Sequence, residues 1–197
     1  MIFIESKRKN LDKIKAKYPL AIICDVTSTS PNSFVKLSPF FPHGGIPVPF
    51  SEGVYSFSVE GVWQGLKVFE NEDVSFESFT NKSMKSLKRT SRVHGRILGH
   101  KKGVDSEIIL DYVTAKKQIY IPTYYWMLEH FASKLIDRLA NIAKEKDIVL
   151  LDYNTSTDIE SDSKPLSHAY LLKLYIENHY PIFEKPVYTT GILPGLI

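Results

Sequence analysis

The chain has 197 residues, 43% apolar and 24% charged, with 25 Lys and Arg against 22 Asp and Glu and a formal net charge of +3. That length suits one domain of good size, and so mild a charge does not by itself mark a nucleic-acid binder. A single cysteine, Cys24, excludes a disulfide framework and a cysteine-rich zinc site, and no apolar run reaches transmembrane length.

The opening residues turn charged after MIFI and show no cleavage site, so no signal peptide is expected. A soluble protein in a reducing, cytoplasmic setting is the expectation. "NLDKIKAKYP" reads as a short helix, with Asn10 as its cap and Pro19 beyond its end. "LAIICDVT" reads as a buried strand that makes Cys24 a small buried hydrophobe. "SPFFPHGGIPVPF" holds too many prolines and glycines for a regular element, and reads as an ordered loop. "GVYSFSVE" is a short strand or turn, after which Ser58 caps a helix.

That helix spaces Glu60, Trp63, Gln64 and Lys67 at i, i+3, i+4 and i+7, on one face. A core face would be plain apolar, and Val62, Leu66 and Phe69 already supply one. "FESFTNKSMKSLKRTSRVHGRILG" reads as one or two further helices interrupted near Gly95. Lys82, Lys85, Lys88, Arg89, Arg92, Arg96, Lys101 and Lys102 crowd this part of the chain with no intervening acid. Arg forks and Lys charges at that density suit a phosphate or a nucleic-acid backbone. "HGRILGHKKG" matches neither the Rossmann nor the Walker spacing.

From Ser106 to Lys146 the pattern predicts two helices separated at Pro122, the second with an apolar stripe from Tyr125 to Ile142. "DIVLLDYN" is the second clear strand, and Asp152 and Asn154 stand at its carboxyl end, where ligand crevices lie. A last helix begins near Ser163 and Pro165, carries His168, and ends at Pro181. The six histidines are scattered without metal-ligand spacing, and no metal or other cofactor is expected. The expected class is α+β: a single helix-rich domain over residues 1–197, its core at about 20–180, with the tail 181–197 packed on it.

"YSFSVEGVWQGLKVFE" resembles the NADAR family, the YbiA-like N-glycosidases. That family carries a Glu-His-x-x-Gln-x-x-Lys helix after an aromatic, Pro-containing loop. Glu60, Gln64 and Lys67 match it, with Gly61 at the His position, and "LSPFFPHGGIPVPF" is similar to the loop. "RVHGRILG" is similar to a family segment in which Gly-Arg follows a helix, and "KPLSHAYLLKLYIE" stands loosely in the place of the family's Gly-x-Asn-Leu-Leu-Gly-x-x-Leu-Met helix. The Trp-Gly before that helix has no counterpart; Asp152 to Asn154 lie in its neighbourhood.

The resemblance implies cleavage of an N-glycosidic bond in a phosphorylated riboside, or removal of an ADP-ribose group from a base. In that reading Glu60, Lys67 and Asp152 are catalytic. Trp63 stacks a flat ring and Gln64 orients sugar hydroxyls. Arg89, Arg92, Arg96 and Lys101 hold phosphates, and Asn154 and His168 complete the site. Two alternatives stand beside it. One is an inactive module that sequesters an ADP-ribose-like nucleotide. The other is a nucleic-acid binder that uses the basic 82–102 face.

Overall fold

A computed structural model describes residues 1–183 of the chain. From the N-terminus the elements are β1 (Ile2–Ser6), α1 (Leu11–Lys17), β2 (Ile22–Asp25), a 3₁₀ turn at Ser33–Leu37, β3 (Ile46–Pro47) and β4 (Tyr55–Ser56). Then come α2 (Val59–Gly65), β5 (Lys67–Phe69), α3 (Phe76–Thr80), α4 (Ser91–His94), β6 (Ile97–Lys101) and β7 (Ile109–Leu110). The chain continues through α5 (Tyr112–Ala115), a π turn at Lys116–Tyr120, α6 (Ile121–Phe131), α7 (Ser133–Glu145), β8 (Ile148–Asp152) and α8 (His168–Ile176). The class is α+β. The expected packing of the tail falls, from residue 184 onward, outside the described residues.

The described residues group into two compact units. The first comprises Met1–Pro39 and Leu128–Pro181. Its core is a parallel sheet in the order β1-β8-β2, with Ile2 and Ile22 both opposite Ile148. All five residues of β8 are buried, as a central parallel strand requires. Val149 and Leu151 pack on Ile14 of α1, with Phe3, Tyr18 and Ile23 closing that cluster. Asn10 caps α1, its side chain accepting from the amides of Asp12 and Lys13. Cys24 is buried on β2, and that burial pushes its thiol up to about 11, which keeps it unreactive.

The second unit comprises Phe40–Met127 and, among described residues, Ile182 and Phe183. It carries the antiparallel sheet β5-β6-β7 and the two-stranded β3-β4 ladder. The Pro-rich stretch is therefore loop except where Ile46 and Pro47 pair with Ser56 and Tyr55. Ser58 caps α2 by accepting from the Gly61 amide at 2.9 Å. Every residue of α2 is buried, so this short helix is held by packing rather than by propensity.

Three expectations are corrected. The basic run is not helical: after α3 the chain is irregular to Thr90, α4 has only four residues, and "ILGHK" is strand β6. Pro122 does not separate two helices. It sits at the start of α6, directly after the π turn, in a stretch that stays helical from Tyr112 to Phe131. The break comes instead at Ala132. α8 starts at His168, capped by Ser167, three residues beyond Pro165.

Candidate functional site

The polar stripe in the second unit closes into a hydrogen-bonded chain. Gln64 Nε2 donates to Glu60 Oε1 at 2.8 Å, one turn apart on α2. Lys67 Nζ donates to Gln64 Oε1 at 3.0 Å. α2 ends at Gly65, so Lys67 reaches this point from the start of β5 rather than from the helix face that its spacing suggested. The Arg89 backbone N–H also donates to Gln64 Oε1, at 3.2 Å. With donors on its oxygen and a carboxylate at its nitrogen, the Gln64 amide has only one workable orientation. It bridges the acid and the amine, and its amide is spent on that task rather than on sugar hydroxyls.

Glu60, Gln64 and Lys67 are 7%, 4% and 9% exposed. Burial pulls the Lys67 pKa below the ordinary lysine value; the Glu60 carboxylate opposes this, and Arg89 and Lys88 add to it. An amine in that position carries more of its neutral, nucleophilic form near neutral pH. Burial, with the charge of Glu60, raises the Tyr112 phenol.

Aromatic rings flank this chain. Trp63 lies against the His100 ring with centroids 3.8 Å apart, and meets Tyr112 and Tyr120 edge-on. Burial, then the charges of Lys67 and Arg89, drive the His100 pKa to about 3, so the ring is neutral. His100 had no signal in the sequence. It reaches the site because β6 places it opposite Lys67 of β5, a non-local register. Lys116 also joins these rings: it is buried at the π turn, with Nζ 5.0 Å from the ring centre of Tyr112 four residues earlier.

Gly61, where the resemblance would place a histidine, is enforced by close approach. A Cβ there would lie 2.5 Å from Ser56 Oγ and 2.7 Å from the Ser78 carbonyl oxygen. No side chain fits without moving backbone.

The cations expected to hold phosphate are largely engaged elsewhere. Arg89 donates to the carbonyls of Gln64, Lys67 and Asp73 at 2.8, 2.6 and 2.8 Å and pairs with Glu72 at 3.2 Å. It is a clamp on the α2–β5 corner. Arg96 pairs with Glu70 at 3.0 Å, and Lys101 with Asp73 at 2.7 Å. Arg92 is exposed on α4.

Asp152, Asn154 and His168 belong to the first unit, at the carboxyl end of its parallel sheet. His168 Nδ1 lies 3.0 Å from Asp152 Oδ2, and Nε2 lies 2.9 Å from the Val26 carbonyl oxygen. Both partners are acceptors, so the ring donates from both nitrogens as an imidazolium. Ser167 Oγ donates to the same Asp152 oxygen at 2.7 Å, and the Ala169 amide at 3.3 Å. Burial alone would raise the Asp152 carboxyl. The His168 charge and these donors outweigh it and hold the group at about 2. Asn154 contributes a backbone N–H to Asp152 Oδ1 at 3.4 Å. A second acid, Asp25, ends β2 and pairs with Lys7 at 2.6 Å. Among the described residues no set of three His, Cys, Asp or Glu side chains is placed to hold a metal ion, and no helix is long and apolar enough to cross a membrane.

No curated protein and no solved structure matches the chain. One family profile does, over residues 6–172, which takes in both the Glu60–Lys67 chain and the Asp152–His168 pair. The chain therefore belongs to the family of unknown function DUF6939.

Proposed function

We propose that the chain is an N-glycosidase that cleaves an ADP-ribose-type group, or a related phosphorylated riboside, at its N-glycosidic bond. The observation that carries this reading is the buried carboxylate–amide–amine chain Glu60–Gln64–Lys67, with the lysine pKa lowered by burial. Cleavage of such a bond builds positive charge at the anomeric carbon. A carboxylate stabilises that charge or takes a proton from the attacking water. Lys67 either protonates the departing base or, as a free amine, attacks the anomeric carbon and displaces the base; ring opening then gives an imine, which water hydrolyses to free the lysine. Gln64 fixes the spacing between the two groups. Tyr112, only partly buried and edge-on to Trp63, is the ring that offers flat surface for the base, with the stacked Trp63 and His100 behind it. Asp152 and His168 take a supporting part, holding the carboxyl edge of the parallel sheet.

The burial of Glu60 and Lys67 favours one second reading, a module that sequesters the same nucleotide without cleaving it. Turnover separates the two. Purified protein is given ADP-ribose, NAD, phosphoribosylated pyrimidines and ADP-ribosylated DNA, beside Glu60→Gln and Lys67→Ala variants whose fold is checked by circular dichroism. The glycosidase reading expects each variant to lose at least ~100-fold in rate, the scale of a positioned acid–base group. Wild-type rates in both variants overturn it. Nucleotide retained without turnover supports the binding module.

A further inference from the structure

Eight cations fall between Lys82 and Lys102, and the structure sorts them. Arg89, Arg96 and Lys101 are neutralised by Glu72, Glu70 and Asp73. Lys82, Lys85, Lys88, Arg92 and Lys102 have no acidic partner among the described residues. Three of these sit over half-buried phenylalanine rings: Lys82 over Phe57 at 4.5 Å, Lys88 over Phe40 at 5.7 Å, and Lys102 over Phe50 at 5.1 Å. Phe40 and Phe50 come from the Pro-rich loop and Phe57 from the turn between β4 and α2, so the basic segment lays a lysine over a ring in three separate pairs.

The segment is preorganised. Asn81 Nδ2 donates to the Lys85 carbonyl at 3.0 Å, its Oδ1 accepts from the Ser83 amide at 2.8 Å, and Met84 and Ser86 hold left-handed backbone. A lysine over such a half-buried surface ring gains little, on the order of 0.5–1 kcal/mol. A better ligand can therefore displace it, taking the ring with a flat face and the ammonium with a negative charge. A chain of bases joined by phosphates offers both at once. A duplex offers only the charge, because its bases are already stacked, and α4 is too short to read a groove.

We propose that these lysine–phenylalanine pairs bind single-stranded nucleic acid, with bases stacking on Phe40, Phe50 and Phe57 and phosphates on Lys82, Lys88 and Lys102. This interaction does not depend on the glycosidase reading.

The test is fluorescence anisotropy of a labelled oligothymidylate of about 12 nucleotides, within the site sizes of single-strand binders. Affinity should fall with salt at a log–log slope of magnitude roughly 2 to 3.5, about 0.7 for each phosphate that three to five cations neutralise. The triple variant Lys82→Gln, Lys88→Gln, Lys102→Gln should bind at least ~10-fold more weakly and lower the slope by roughly 2. Phe40→Leu and Phe57→Leu, checked for unchanged thermal melting, should each lose about 5-fold or more while keeping the slope, because only stacking is removed. Lys144→Gln on α7 serves as the control and should change nothing. The proposal is overturned if the oligonucleotide does not bind at low salt, or if the triple variant binds as the wild type does. It is also overturned if the ring variants bind normally while duplex and anionic vesicles compete equally, which is charge attraction alone.

Discussion

Lys67 Nζ donates to Gln64 Oε1 at 3.0 Å although the two residues lie on different elements. The strand start turns the lysine back over the last turn of α2, so an acid at the helix beginning and an amine beyond its end share one amide. The relationship makes Gln64 the fixed point of the site. Gln64→Leu would take the bridging amide away from the Glu60 carboxylate and leave the Lys67 amine and the Arg89 N–H buried without that acceptor. The expected loss in urea unfolding is about 2–4 kcal/mol, the range for orphaned buried polar and charged groups. A loss near zero would mean that the amide is not the bridge.

Lys67 also makes stability depend on pH. Its pKa in the fold lies below the 10.5 of a free lysine. Between these two values the unfolded chain holds more protons, so stability rises with pH across that window. Lys67→Met removes the buried charge. Removing one member of the buried Glu60–Lys67 pair should lower stability at neutral pH by about 3–5 kcal/mol, and the gap should widen toward the free-lysine value because only the wild type gains stability across that window. Melting curves against pH read this directly. A gap independent of pH would contradict it.

Asp152 gives the same sign in the acid range, because there the fold favours the charged form. The fold holds its pKa at about 2, below an ordinary aspartate. Its contribution is full above the unfolded pKa of about 3.9 and is lost as pH falls toward the folded value. Asp152→Asn leaves the His168 imidazolium facing a neutral amide. It should cost about 3–5 kcal/mol at neutral pH and flatten the acid limb of the stability curve. Retention of the full acid limb would assign that limb to other carboxylates, with Glu5 the first to examine, since it is held at about 2 by Lys17, Lys9 and Tyr18.

Arg89 separates clamp from phosphate ligand. Its guanidinium donates to three backbone carbonyls, a geometry that a lysine cannot copy. Arg89→Lys should lower stability by about 2–3 kcal/mol, the scale of lost charged hydrogen bonds. A phosphate ligand would instead show unchanged melting and weakened nucleotide binding.

Gly61→Ala places a methyl carbon against Ser56 Oγ and the Ser78 carbonyl. A cost of about 1–3 kcal/mol is expected from such overpacking. Unchanged melting would show that the α2–α3 contact has room for a side chain.

Local chemistry was legible in the sequence. Ser58 and Asn10 announce their helices because a cap acts on amides two or three residues away. The Glu60 and Gln64 face follows from helical spacing alone. What failed was non-local. β1 pairs with β8 across most of the chain, and nothing in "IFIES" carries that register. His100 and Lys67 become neighbours only once β5 and β6 pair. The basic run fits helical spacing, but Asn81, Ser83 and left-handed Met84 and Ser86 set a loop instead. Pro122 reads as a breaker, yet the π turn directly before it carries the helical course on into α6. Arg89 was assigned to phosphate because charge, unlike a carbonyl partner, is visible in a sequence.

The most direct measurement is mass spectrometry of products from the wild type and Glu60→Gln, incubated with ADP-ribosylated DNA, NAD, ADP-ribose and phosphoribosylated pyrimidines. The account expects a free base or released ADP-ribose from at least one of them, absent with the variant. Intact compounds throughout, or the same products with Glu60→Gln, would contradict it.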